Sequence, residues 1–165
     1  MTEDFHVDMG GRLHKGTDVG IACVGASSKT HDGCVPKGSL IRLIVRKLCR
    51  KDLQKCYAKM YAICIYLLIR DRLFDIERLI TCNDENIALV KAYLERLLEN
   101  KHRFSIINIT EFRESPGRNT KSFADNYSKR YRRRGLNKIR RQDGIELQMV
   151  ELSFPLIQGY WLLLG

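Results

Sequence analysis

No two of the six cysteines stand in a Cys-x-x-Cys motif, which removes the usual signature of a zinc ribbon or a thioredoxin-like redox centre. His31 and Cys34 have ligand-like spacing, but a tetrahedral zinc site needs four donors and no second pair matches them. No uncharged apolar run exceeds residues 60–69, too short to cross a bilayer, so no membrane partner is expected. Residues 1–8 are polar and acidic rather than basic and then apolar, so a secretory leader is not expected either. Cys49, Cys56 and Cys64 fall in helical or core-like surroundings, where thiols are expected to be reduced in a cytoplasmic protein. There is no internal repeat and no low-complexity linker. What is present is the composition of a folded domain, 44% hydrophobic and 29% charged, at a length that suits one core. Residues 1–165 are therefore read as a single domain.

Acidic residues are outnumbered, and unevenly so. The net charge is +10, yet residues 113–141 alone hold eleven Lys/Arg against Glu114 and Asp125, and residues 42–59 hold seven against Asp52. The rest of the chain is net negative. Clustering of this kind marks a polyanion surface, because each phosphate neutralised releases condensed counterions. Lys47, Lys51, Lys55 and Lys59 recur every fourth residue and would form one stripe on a continuous helix. The denser cluster supplies Lys129, Arg130, Arg132, Arg133, Arg134, Lys138, Arg140 and Arg141 from a basic helical segment over 121–141, ahead of a C-terminal extension, 142–165. Nucleic acid is the expected partner.

Element types alternate along the chain. Strands are expected over 5–9, 19–24 and 40–45, then a helix over 52–69 with Leu53, Tyr57, Met60, Cys64 and Leu68 on one side. A strand over 76–82, an amphipathic helix over 86–100, a strand over 104–112 and a helix over 121–134 follow, the last ended by Gly135. A further strand is expected over 145–154.

Three aspartates fall where a metal-assisted phosphodiester chemistry would need them: Asp8 in the first strand, Asp84 at a strand-to-helix junction and Asp125 early in the basic helix. Two divalent cations about 4 Å apart must be held by ionised carboxylates converging from different elements. Each acid has a plainer role open to it. Asp84 could cap the helix near Asn86, and Asp125 could relieve repulsion among Lys121, Lys129 and Arg130. Asp8 is harder to explain away, because a buried carboxylate with neither metal nor partner is costly. Phe123, Tyr127 and Tyr131 suit either a core face or base stacking.

This order of elements resembles the ribonuclease H-like fold over residues 4–134. Val7-Asp8-Met9-Gly10 followed by Gly20-Ile21-Ala22-Cys23-Val24 is similar to that family's first hairpin. Ile80-Thr81-Cys82-Asn83-Asp84 is similar to its fourth strand, and Ser122-Phe123-Ala124-Asp125-Asn126 to the start of its last helix. The resemblance implies an α/β fold with a mixed five-stranded sheet flanked by helices, here with an extra C-terminal strand. It also implies a two-metal endonuclease using Mg²⁺ or Mn²⁺ on RNA or the RNA strand of an RNA–DNA hybrid. Asp8 would bridge both ions, Asp84 and Asp52 would hold one each, and Asp125 would complete the second. The family's first helix normally supplies a glutamate; this helix has only Asp52, for which Lys59 is an alternative ion-pair partner. That departure leaves a non-catalytic nucleic-acid-binding protein as the rival reading. The apolar tail Tyr160-Trp161-Leu162-Leu163-Leu164 suggests a homodimer contact.

Overall fold

In the computed structural model, residues 1–28, 30–114, 124–134 and 147–165 are described. The side chains of His31, Arg113, Glu114, Arg134, Leu147, Gln148 and Met149 are outside that description.

The first strand is buried on both faces over residues 5–10, which places it at the centre of the layout. β1 (Glu3–Gly10) pairs antiparallel with β2 (Gly20–Gly25), with Asp8 opposite Ala22, and parallel with β4 (Ile76–Thr81). Phe5, Val7 and Met9 point into the main core, whereas His6 and Asp8 point to the other face. β3 (His31–Cys34) extends the sheet beyond β2, and β5 (Ser105–Asn108) extends it beyond β4. The order β5-β4-β1-β2-β3 forms the mixed five-stranded sheet expected from the sequence. β6 (Leu147–Met149) adds an extra C-terminal strand, parallel to β3.

Helices cover both faces. α1 (Gly38–Leu48), α2 (Leu53–Ile69), α3 (Ile87–Leu98) and α6 (Phe154–Leu164) share the main core with one face. α2 is its centre, buried almost all round over its second half. On the opposite face α5 (Asp125–Arg134) lays Ala124 and Tyr131 on Ala22 and Val24. The short α4 (Ile109–Glu114) lays Ile109 and Phe112 on Ile80. The stripe residue Tyr131 is thus a core residue, and Tyr127 packs partly buried beside it, while Phe123 lies outside the described residues. Gly20 is required here, because a Cβ on it would sit 2.7 Å from the Arg132 backbone nitrogen and closer still to the Ser128 carbonyl.

Four expectations are corrected. Residues 40–45 are helical: Ile41 and Ile44 are buried, Leu40, Val45 and Leu48 pack beside them, and Arg42, Arg46 and Lys47 face outward, a period near 3.6 rather than 2. The third strand is instead the short polar β3, fixed by its ladder to β2. The fifth strand stops at Asn108, whose side chain accepts from the Thr110 amide at 2.7 Å and opens α4. Of the last strand, expected over 145–154, residues 145–146 lie outside the described residues and the strand ends at Met149, because the Ser153 hydroxyl accepts from the Leu156 amide at 3.3 Å and Pro155 follows it into α6. α6 buries Ile157, Trp161 and Leu164 of the apolar tail and leaves Leu162 and Leu163 exposed.

The cysteines are also corrected in part. Cys49 and Cys56 form a disulfide across the α1–α2 connection, with 5.6 Å between their Cα atoms. Cys23, Cys34, Cys64 and Cys82 are free and buried, as expected of reduced thiols. Among the described residues no helix is long and apolar enough to cross a membrane.

Candidate metal centre

The C-terminal ends of the adjacent central strands β1 and β4 meet the start of α5. Asp8 sits two residues before the end of β1, Cys82 and Asp84 follow directly on β4, and Asp125 opens α5. Together with Gly10, Gly11, Arg12 and Lys129 they line a polar cleft of about 400 Å³. One Asp8 carboxylate oxygen, the Cys82 sulfur and one Asp84 carboxylate oxygen all lie within 4.8 Å of one another. Such spacing lets a single cation touch all three.

Burial and like charge stress this group. Asp8 is only 7% exposed; its Oδ1 accepts from the Met9 amide at 2.8 Å, and the Cys82 thiol donates a further hydrogen bond to the same carboxylate. Burial, with the charges of Asp84 and Asp125, pushes its carboxyl up to about 6. Burial and the charges of Asp84 and Asp8 raise the Cys82 thiol well above its ordinary range. Its sulfur lies 3.1 Å from the hydroxyl of Tyr61, a buried residue of α2. Glu85, next in the chain, is raised to about 7 by burial and by the charge of Asp84. Positive charge answers from the rim, where Arg12 pairs with Asp84, and Lys129 Nζ lies 3.0 Å from Asp125 Oδ2.

Of the sequence-derived acids, Asp8, Asp84 and Asp125 come together in this cleft, and Asp52 does not. Asp52 is the N-cap of α2, accepting from the Lys55 amide at 3.2 Å, and it lines a second cleft of about 420 Å³. Its side chain is used in ending the α1–α2 turn, so it is removed from the ligand set. Asp84 does not cap α3; Asn86 does, accepting from the Leu89 amide at 3.2 Å.

The lysine stripe is corrected as well. Lys47 belongs to α1, Lys51 to the connection, and Lys55 and Lys59 to α2, because the helix breaks at Cys49–Asp52. Lys47, Lys55 and Lys59 still share the second cleft, with Arg50 and Trp161. None of them lines the acid cleft. Lys59 is half committed already: its Nζ lies 5.3 Å from the Trp161 ring and donates to the Gly165 carbonyl at 3.1 Å.

The α5 cations are placed differently. Lys129 lines the acid cleft, Arg132 donates from Nε to the Asp18 carbonyl at 2.9 Å, and the Arg130 guanidinium lies 5.8 Å over the Tyr127 ring. Arg133 is exposed. Arg134 ends α5 with its side chain outside the described residues, as are Lys138, Arg140 and Arg141 altogether. Sequence reasoning missed Cys82, Glu85 and Arg12. Cys82 and Asp84 lie beyond the last residue of β4, so strand alternation gives no signal for Cys82.

Comparison with protein-family models, with curated proteins and with solved structures found no match for this chain.

Proposed function

We infer that the protein is a metal-dependent nuclease with a ribonuclease H-like fold. One observation carries the reading: Asp8, Asp84 and Asp125, three acids far apart in sequence, converge in one polar cleft that also holds Lys129 and Arg12. The order of strands and helices supports the resemblance from which the substrate class follows, RNA or the RNA strand of an RNA–DNA hybrid. A cytoplasmic setting belongs to the same proposal and implies that the Cys49–Cys56 pair opens in reducing conditions.

The donor set fits a divalent cation, with two carboxylates and a thiol within reach of one point and a third carboxylate in the same cleft. A bound divalent cation supplies positive charge where a phosphodiester oxygen gains negative charge as its bond to phosphorus breaks. Asp8 and Asp84 would hold the cation, and Asp125 at the start of α5 lines the same cleft. Lys129 and Arg12 stand at the rim, where they would neutralise the phosphates on either side of the scissile bond. Contacts from Lys129 and Arg12 to phosphates carry no base information, so their contribution would not depend on sequence.

Removal of Asp52 from the ligand set favours the rival, a non-catalytic nucleic-acid-binding protein of the same fold. A homodimer contact would use Leu162 and Leu163, the exposed apolar residues of α6. Incubation with Mg²⁺ or Mn²⁺ and labelled RNA, DNA and RNA–DNA hybrid separates the two readings. Cleavage that disappears in Asp8→Asn while binding persists supports the nuclease; binding without cleavage of any of the three substrates supports the rival.

A further inference from the structure

The floor of the acid cleft is not made of oxygen alone. Cys82 is 7% exposed, and its sulfur is one of the three atoms that lie within 4.8 Å of one another with the Asp8 and Asp84 carboxylates. Magnesium demands a near-octahedral shell of oxygen donors and keeps several of its waters, so a sulfur at one corner is a poor match. A thiolate suits zinc and its spectroscopic substitutes cobalt and cadmium. Behind the sulfur, the fully buried Tyr61 hydroxyl lies 3.1 Å away, where it can donate to a thiolate and fix its direction, as partners behind metal ligands commonly do. That hydroxyl comes from α2, a different element from either carboxylate.

We propose that Cys82 is a metal ligand, with Asp8 and Asp84, and that the site takes a thiophilic divalent ion of the zinc class in preference to Mg²⁺. The inference rests on the reading of this cleft as a metal centre but not on nuclease activity. As the ion binds, the Cys82 thiol gives its proton to solvent and its sulfur becomes an anionic donor; nothing is oxidised or reduced. Tyr61 is then a positioning residue, acting on the ion only through the sulfur. Asp125, in the same cleft, lies outside this three-atom group.

The test is titration of the full-length protein with Co²⁺ under anaerobic conditions, followed by near-ultraviolet and visible absorption, with Mg²⁺ as competitor. Wild type is expected to develop a thiolate-to-cobalt charge-transfer band and to retain Co²⁺ against a large excess of Mg²⁺. Cys82→Ser, nearly isosteric, is expected to lose the band and to bind Co²⁺ at least about tenfold more weakly, while its Mg²⁺ affinity holds or rises. Tyr61→Phe should keep the band, shift it, and weaken Co²⁺ roughly tenfold. Cys34→Ser, distant from the cleft, should change nothing. If wild type binds Co²⁺ without the band and Asp8→Asn abolishes that binding, the thiol ligand is overturned and the carboxylate metal site stands. A band that persists in Cys82→Ser places the metal on another cysteine and overturns the proposal too. Absence of any Co²⁺ or Mg²⁺ binding removes both the ligand and the metal centre.

Discussion

Two clefts of nearly equal size, about 400 and 420 Å³, carry opposite charge and are built in opposite ways. In the acid cleft the charges sit on short side chains at strand ends, and Asp8 is held at 7% exposure by backbone on both sides. In the basic cleft they sit on the long stems of Lys47, Arg50, Lys55 and Lys59 around a helix–helix connection. Short buried carboxylates can be positioned to a fraction of an ångström, as binding of a metal requires; lysines on flexible stems give attraction without geometry. Burial and like charge push the Asp8 carboxyl up in the first, and in the second burial and the charges of Arg96 and Lys55 lower the pKa of Lys59. The difference between a site and a surface here is rigidity rather than charge.

The largest effect should come from breaking the acid cleft. Asp8→Asn is expected to lower divalent-metal affinity about 100-fold or more, beyond the 10–100-fold of an outer partner, by titration calorimetry. The same substitution should stabilise the metal-free protein by about 1–3 kcal/mol at neutral pH in urea unfolding, since it removes a carboxylate whose folded pKa is raised to about 6. The sign follows from the direction of that shift. A raised acid makes its contribution below its unfolded pKa of 3.8 and loses it as pH rises through about 6. Wild type without metal should therefore lose stability across that window, and Asp8→Asn should lose less. An unchanged profile in the variant would mean that Asp8 is not stressed.

Next comes the packing that brings Asp125 and Lys129 to the cleft. Gly20→Ala forces a Cβ against the Ser128 and Arg132 backbone, and it is expected to cost about 1–3 kcal/mol and to displace α5. Lys129 would then leave the rim, so nucleic-acid affinity should fall together with stability. If affinity holds, α5 is not what contacts the phosphates.

A smaller effect tests whether the basic cleft binds phosphate at all. Replacing Lys47, Arg50 and Lys55 together with alanine should reduce the slope of log affinity against log salt by about 0.9 for each phosphate no longer neutralised, while metal binding is unchanged. An unaltered slope would make this cleft a solvated surface. The smallest effect belongs to Asp52→Ala, which removes a helix cap and should cost about 1 kcal/mol with no change in metal affinity. A loss of metal binding there would restore Asp52 to the ligand set.

Local pattern carries much of this organisation. β1, β2, β4, α2 and α3 are legible from alternation and helical periodicity, and the three convergent acids from their places at element ends. The errors come where one short apolar string fits two periods: residues 40–45 are β-branched enough to suggest a strand, yet Arg42 and Arg46 four apart mark the outer side of a helix. β3 cannot be read from His31-Asp32-Gly33-Cys34, because its strand character is imposed by the ladder from β2. The lysine period of four implies a continuous helix, but α1 ends at Leu48 and α2 starts from an Asp52 cap that periodicity does not register. Cys82 escapes a reading of the sequence because its proximity to Asp8 is a property of parallel pairing between β1 and β4.

The account stands or falls on whether the acid cleft holds a metal. Crystals of the protein soaked in Mn²⁺, measured at a wavelength where manganese scatters anomalously, test it most directly. The expected result is an anomalous peak within coordination distance of both the Asp8 and Asp84 carboxylates, absent in crystals of Asp8→Asn. A well-diffracting soaked crystal with no peak in that cleft, or with a peak only at surface acids, would contradict it.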